Sequence, residues 1–265
     1  MSEEVEFTCA EGVARIAFNR PAAKNALTKG MTARLLALLE AIKPDMARVV
    51  VLEGRGGDFC SGADVKAMGS SQALTAQERT AAFHASIDGT IAPIVRAALA
   101  LRQPIVAAVR GYAIGLGAQL ALLADLIVAS ETARFVFPQV RLAHTLDHGE
   151  SWFLPRKVGL PKAMELSLLG EPINAEAANR AGLVNWVVKD AELEPFADKI
   201  VSKLLSVAPQ SLWRTKALLN ASGQNSLEAQ LAAERMHVGY GAASEDFLEA
   251  VRAFAEKRPP RFTGA

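Results

Sequence analysis

The sequence predicts an α/β fold with crossover connections, followed by a helical C-terminal region. Three observations predict it: short all-apolar runs alternate with stretches of helical periodicity, glycine turns end several of those runs, and the patterning becomes wholly helical after about residue 185.

The elements follow in order. Val13-Ala-Arg-Ile-Ala-Phe18 alternates in polarity and reads as a strand, ended by Asn19-Arg-Pro21. Thr28 is a candidate N-cap for a helix with Met31, Leu35, Leu38, Leu39 and Ile42 on one face. Val49-Val-Val-Leu52 is apolar throughout, as in a strand buried on both faces, and Gly54, Gly56 and Gly57 turn the chain after it. A polar segment over residues 70–79 precedes a helical stretch to about residue 101, which Pro104 breaks. Residues 105–109 read as another buried strand, 113–123 as a helix entered through glycines, and 126–129 as a third buried strand. Residues 191–206, 210–221, 226–239 and 245–256 all read as helices. The expected division is a core over 1–190 and a helical region over 191–265.

Composition narrows the class. A chain of 265 residues that is 51% hydrophobic can bury a sizeable core. A net charge of +1 gives no footprint for nucleic acid. Two cysteines, Cys9 and Cys60, are too few for a disulfide framework and fit a reducing compartment. The first residues are acidic and carry no hydrophobic signal core. The apolar stretch over residues 113–129 is interrupted by Gly115, Gly117, Gln119 and Asp125, so it reads as a buried element and not a membrane span. The expectation is a soluble cytoplasmic protein.

Two glycine-containing turns carry chemistry. Phe59-Cys-Ser-Gly-Ala-Asp64 and Gly111-Tyr-Ala-Ile-Gly-Leu-Gly117 each follow a buried strand, where α/β folds expose free backbone N–H groups. The second opens a helix, whose N-terminus favours negative charge. Two such N–H groups aimed at one point make an oxyanion hole. Neither turn is a nucleotide fingerprint: the second lacks a third glycine and the first lacks the Lys-Ser/Thr of a phosphate loop. Either turn alone reads equally as a tight connection. No Gly-x-Ser-x-Gly elbow occurs. His144 and His148 are four apart and would share a face if helical, but a lone pair is weak support for a metal, and none is expected.

The ordered set Asn19-Arg-Pro, Asn25-Ala-Leu27, Phe59-Cys-Ser-Gly-Ala-Asp64, Pro104-Ile-Val-Ala-Ala-Val-Arg-Gly-Tyr112, Ala124-Asp-Leu126, Gly182-Leu-Val184 and Ala253-Phe-Ala-Glu-Lys-Arg258 resembles the crotonase (enoyl-CoA hydratase/isomerase) superfamily over nearly the whole chain. The resemblance implies a spiral of ββα turns and a helical C-terminal trimerisation region, with homotrimers often paired into hexamers. It implies an acyl-CoA thioester as substrate, with coenzyme A entering as part of that substrate and no separate cofactor. By position, the oxyanion N–H groups would belong to Ala63 and Leu116. Leu116 stands where many members have glycine, so its backbone must avoid positive φ. Ala23, Lys24, Ala26, Gly62, Asp64 and Lys66 would lie along coenzyme A. Lys24 and Lys66 are candidate phosphate contacts, and solvated surface charges on the alternative reading.

The resemblance also exposes a departure. Family hydratases use two glutamates; here those positions carry Gln119 and Gln139, the latter in Phe135-Val-Phe-Pro-Gln139. A carboxamide holds water by hydrogen bonds but takes no proton from it near neutral pH. Gln119, Gln139, Gly115 and His144 are read as substrate surroundings, the two glutamines equally as inert remnants. Asp147 matches the aspartate of an isomerase-like subset that moves a proton between carbons, although Leu146, His148 and Glu150 depart from that subset. The expectation is an acyl-CoA isomerase using Asp147, with its pKa raised by burial among Leu142, Leu146, Trp152 and Phe153. Alternative readings are a hydratase or other crotonase reaction with atypical acids, Glu150 among them, and a non-catalytic CoA-ester binder. Asp147 also reads as a helix N-cap, and the histidines as proton relays or ordinary hydrogen-bonded side chains.

Overall fold

The computed structural model describes residues 3–64 and 73–265. Its centre is a six-stranded sheet in the order β1 (Val5–Ala10), β2 (Val13–Phe18), β3 (Val49–Gly54), β4 (Ile105–Val109), β6 (Leu126–Ser130) and β9 (Trp186–Val188). β1 and β2 form an antiparallel hairpin in which Ala10 pairs with Val13. Its two turn residues, Glu11 and Gly12, both take positive φ (52° and 77°), as the twist of a two-residue hairpin demands. The remaining pairings are parallel, and each needs a crossover. β5 (Tyr112–Ile114), β7 (Arg134–Val136) and β8 (Ile173–Asn174) make a second, smaller sheet.

Strand period explains the two cores. Val50, Leu52, Ile105, Ala107, Val109 and Ile127 face one side, against α1 (Lys29–Ala41), α3 (Ala92–Ala100) and α4 (Leu116–Leu122). Val49, Val51, Val106, Ala108 and Val128 face the other, covered by Leu193, Ala197, Ile200 and Val201 of α8 (Leu193–Leu205). α1 begins as its sequence predicts: the Thr28 side chain accepts from Met31 N, and Met31, Leu35, Leu38 and Leu39 are buried.

Several elements differ from expectation. α2 (Ala76–Ser86) starts earlier than the polar composition suggested, because Thr75 and Glu78 close a capping box. A π-turn, Ile87–Ile91, joins α2 to α3. Ala113 and Ile114, expected to begin a helix, are strand instead, since Tyr112–Ile114 pairs with β7 and extends the second sheet. α5 (Glu150–Val158), α6 (Leu160–Leu169) and α7 (Ala175–Arg180) follow the small sheet's first two strands. After β9 the longer elements are α8, α9 (Pro209–Ser222), α10 (Leu227–Ala242) and α11 (Glu245–Ala255).

Candidate active site

The two glycine turns are stitched together by backbone. Cys60 N donates to Tyr112 O at 2.9 Å, and Ile114 N donates to Cys60 O at 3.0 Å. Gly117 makes the approach possible, because a Cβ there would lie 2.1 Å from Cys60 O. Gly62 (φ +96°) does the same on the other turn: a Cβ there would sit 2.7 Å from Ile114 O and 3.6 Å from Leu116 N. The first turn thus ends beside the N–H of Leu116.

Both candidate N–H groups are oriented by their neighbours. Leu27 N donates to Gly62 O (2.8 Å) and Asp64 N donates to Leu27 O (3.0 Å), so the bridge is made by residues on either side of Ala63. In a β-bridge the intervening N–H points the opposite way, which turns Ala63 N–H away from Leu27. Leu116 is the first residue of α4, so its N–H has no partner in the helix. The positive φ falls on Gly115 (51°) and not on Leu116, which meets the steric requirement that leucine imposes. Neither N–H has a hydrogen-bond partner among the described residues.

The polar side chains converge on one carboxyl pair. Gln119 is buried on α4, and its Nε2 donates to Asp147 Oδ1 at 2.8 Å and to Glu150 Oε2 at 2.9 Å. Gln139, in the 3-10 turn Gln139–Leu142, donates to the same Glu150 oxygen at 2.6 Å. Ser167 of α6 donates to Glu150 Oε1 at 3.1 Å. The Oε1 atoms of Gln119 and Gln139 are buried without a partner among the described residues. Nδ1 of His148 lies 2.6 Å from Asp147 Oδ1, with its N–H direction outside hydrogen-bond geometry. With the imidazole protonated the contact is a charge attraction, which does not depend on that direction.

The two acids are held differently. For Asp147, burial pushes the pKa up, but proximity to His148 and the Gln119 and Gln139 amides outweigh it, leaving the group below the usual carboxylate range. For Glu150, burial again acts first; Gln119, Ser167 and Gln139 oppose it, Asp147 adds like charge, and the net direction is up. The expectation of a raised Asp147 is therefore overturned. Its side chain is 37% exposed, Leu142 is 58% exposed, and Trp152, another expected wall, is 37% exposed with the Arg156 guanidinium 3.1 Å over its ring. Leu146 is only partly buried, and of the four expected walls Phe153 alone packs against the main core. Asp147 is no side-chain N-cap either: Gly149 holds that position, and it is the backbone oxygen of Asp147 that accepts from Glu150 N.

Other expected residues fall around this centre. His144 is exposed, with its ring 4.8 Å from that of Phe83. His144 and His148 do not share a helical face, because Ala143 and His148 both have positive φ. Ala23, Lys24 and Ala26 form a loop beside the first turn: Ser61 N donates to Lys24 O at 2.9 Å and Ser61 Oγ to Ala23 O at 3.3 Å. Lys24 is exposed, with Nζ 4.5 Å from the Tyr112 ring centroid. Asp64 accepts from Arg20 at 2.7 Å. Lys66 lies outside the described residues. Sequence reading missed Ser167, which reaches Glu150 from another helix and belongs to no motif. It also missed the role of buried Asn25, which accepts from Arg20 N at 2.7 Å and donates to Arg55 O (3.0 Å) and Asp58 O (2.7 Å).

A family model for enoyl-CoA hydratase/isomerase matches residues 8–265. The chain belongs to this family, the crotonases, and has its α/β fold with two sheets and a helical C-terminal region. It is 37% identical over 251 residues to 2,3-dehydroadipyl-CoA hydratase of Escherichia coli, covering 94% of each chain. It is 34% identical over 255 residues to 1,2-epoxyphenylacetyl-CoA isomerase of the same organism, covering 96% of each. Among solved structures, enoyl-CoA hydratase from Bacillus anthracis superposes with a TM-score of 0.89 at 30% identity, covering 99% of this chain and 100% of that one. Hydratase and isomerase relatives thus stand at comparable distance. No helix among the described residues is long and apolar enough to cross a membrane.

Proposed function

We propose that this protein is an acyl-CoA isomerase that shifts a double bond by proton transfer through a thioester enolate. One observation carries the reading. Asp147 is the partly exposed, ionised carboxylate of the cluster, held by Gln119, while both family hydratase positions are glutamine.

The chemistry is a single-base shift. Asp147 takes a proton from the carbon beside the thioester carbonyl of a 3-enoyl ester. The electron pair moves onto the thioester oxygen, which receives the N–H groups of Ala63 and Leu116. The double bond re-forms at carbons 2 and 3 as Asp147 returns the proton to carbon 4. Loss of one oxyanion donor typically costs about 3 kcal/mol, or about 10² in rate, so the hole contributes on the scale of the base itself. Lys24 and the loop from Ala23 to Ala26, with Gly62, Asp64 and Lys66, are assigned to coenzyme A. Gly115, Gln119, Gln139 and His144 are assigned to the acyl surroundings.

A second reading, hydration, is favoured by Gln119 bridging Asp147 and Glu150, which supplies two carboxyl groups where addition of water needs an acid and a base. Assays with 3-enoyl and 2-enoyl-CoA esters of several lengths separate the two. Migration of the double bond that vanishes in Asp147→Asn, with ester binding retained, supports the isomerase. Water addition that survives in Asp147→Asn sinks it.

Assembly into a homotrimer or hexamer is part of the same proposal. It is supported by apolar side chains left exposed on the C-terminal helices, Leu219, Leu227, Val238 and Phe254 among them. A cytoplasmic location is proposed with it, supported by the two free cysteines.

A further inference from the structure

Glu150 is the most deeply buried carboxyl group among the described residues, at 0% exposure. It opens α5, and every group that touches its carboxyl is neutral: Nε2 of Gln119 from α4, Nε2 of Gln139 from the 3-10 turn, and Oγ of Ser167 from α6. No Lys, Arg or His forms an ion pair with it among the described residues. Two titratable groups lie on its own loop. Asp147 shares the Gln119 amide nitrogen, and His148 is engaged by Asp147. His144 lines the same cavity of about 340 Å³ as Glu150, beyond the cluster.

A second full negative charge beside Asp147, with 0% solvent exposure and without a cation, would be costly. A carboxylic acid fits the same contacts without that cost. Its carbonyl oxygen accepts both amide N–H groups. Its hydroxyl faces Ser167 Oγ, a group able to accept as well as donate. The Gln119 amide is then fixed at one N–H by Glu150, and its second N–H is left on Asp147.

We propose that Glu150 is a positioning residue held as the neutral carboxylic acid, which locks Gln119 and Gln139 in the orientation that keeps Asp147 in place as the single charged base. The catalytic consequence rests on the reading of Asp147 as the base; the protonation state does not. The cluster then contains one base and one buried acid that sets the geometry.

Infrared difference spectra between the wild-type protein and Glu150→Gln, taken near neutral pH in water and in deuterium oxide, test this without turnover. The expected result is a protonated-carboxyl C=O band that shifts in deuterium oxide and is lost in the variant. Loss of carboxylate bands alone would overturn the proposal. Turnover gives the second arm. Glu150→Leu should lower kcat by about 10²-fold with KM little changed, the scale of a small misplacement of a reacting group. Glu150→Gln, isosteric with the neutral acid, should restore most of that loss and leave the acidic limb of kcat in place. An acidic limb that moves to lower pH in Glu150→Gln would mean a charge had been removed beside Asp147, and would also overturn it. Failure of the isomerase reading shows separately, as turnover insensitive to Asp147→Asn.

Discussion

The amide nitrogen of Gln119 sits 2.8 Å from Oδ1 of Asp147, on the helix that also presents the Leu116 N–H. Gln119, which holds the proposed base, and Leu116, which presents a proposed oxyanion donor, thus stand three residues apart on one rigid element. Replacing the donor by an acceptor tests this link. Gln119→Glu removes an N–H that favours the Asp147 carboxylate and places like charge beside it. Both effects raise the Asp147 pKa, and each unit is about 1.4 kcal/mol. With Asp147 as the proposed base, the acidic limb of kcat/KM should move to higher pH. A pH–rate profile measures it, and an unmoved limb would separate Asp147 from the chemistry.

Gly62 holds the turns in register, since a Cβ there meets Ile114 O at 2.7 Å. Gly62→Ala must push Ala63 and Leu116 apart, and its positive φ adds strain. The expected outcome is a fall in kcat of about 10²-fold, the scale of one lost oxyanion donor. Because Gly62 is also assigned to coenzyme A, binding of a saturated acyl-CoA should weaken too, by less than kcat falls. Calorimetry beside steady-state kinetics separates the two. Weakened binding with kcat unchanged would assign the turn to binding alone.

Much of this centre was legible in the sequence, for identifiable reasons. The parallel strands were readable because their runs are apolar on both faces, as Val49-Val-Val-Leu52 is, with one face buried under α1 and the other under α8. Thr28 and the glycine turns were readable because their chemistry is local. Strands of two or three residues, such as β8, were not: they are set by pairing across the second sheet, and no period shows in so few positions. The environment of Asp147 was also hidden. Apolar neighbours in sequence suggested burial, but Leu142 and Trp152 point outward, and the groups that decide its charge come from α4 and from His148 in a left-handed turn.

Asn25 offers a test of the loop assigned to coenzyme A. It is 0% exposed with φ of 56°, and its amide joins Arg20 N, Arg55 O and Asp58 O. Asn25→Ala leaves buried backbone groups unpaired, each worth about 1–3 kcal/mol. Urea unfolding should show a loss in that range or above. CoA-ester affinity should fall with it, since Lys24 is the adjacent residue. A variant as stable as the wild type would show that water or backbone relaxation replaces these bonds.

Lys24 should contribute charge and little fold stability, because it is exposed and its recorded partner is the Tyr112 ring at 4.5 Å. An exposed cation–π contact is worth about 0.5–1 kcal/mol. Lys24→Ala should raise KM for CoA esters, most at low salt, while acyl-pantetheine esters lacking the nucleotide are turned over as before. Titrating both substrate types across ionic strength checks it. An equal effect on the two would remove Lys24 from the phosphates.

The two carboxyl groups make opposite contributions to stability against pH. Asp147 is held below its ordinary 3.8, so its contribution is present above that pH and is lost as pH falls through the folded value. Glu150 is held above its ordinary 4.5, chiefly by burial. The folded protein therefore retains a proton that the unfolded chain has released. Stability relative to an uncharged side chain is greatest below 4.5 and declines as pH rises from there toward the folded value. Glu150→Gln cannot ionise, so the variant should gain on the wild type across that interval and level off above it. Unfolding by urea at a series of pH values gives the difference directly. A difference that stays flat above 4.5 would mean that Glu150 ionises as readily in the fold as in the open chain, and that the cluster stabilises its charge through the amides of Gln119 and Gln139.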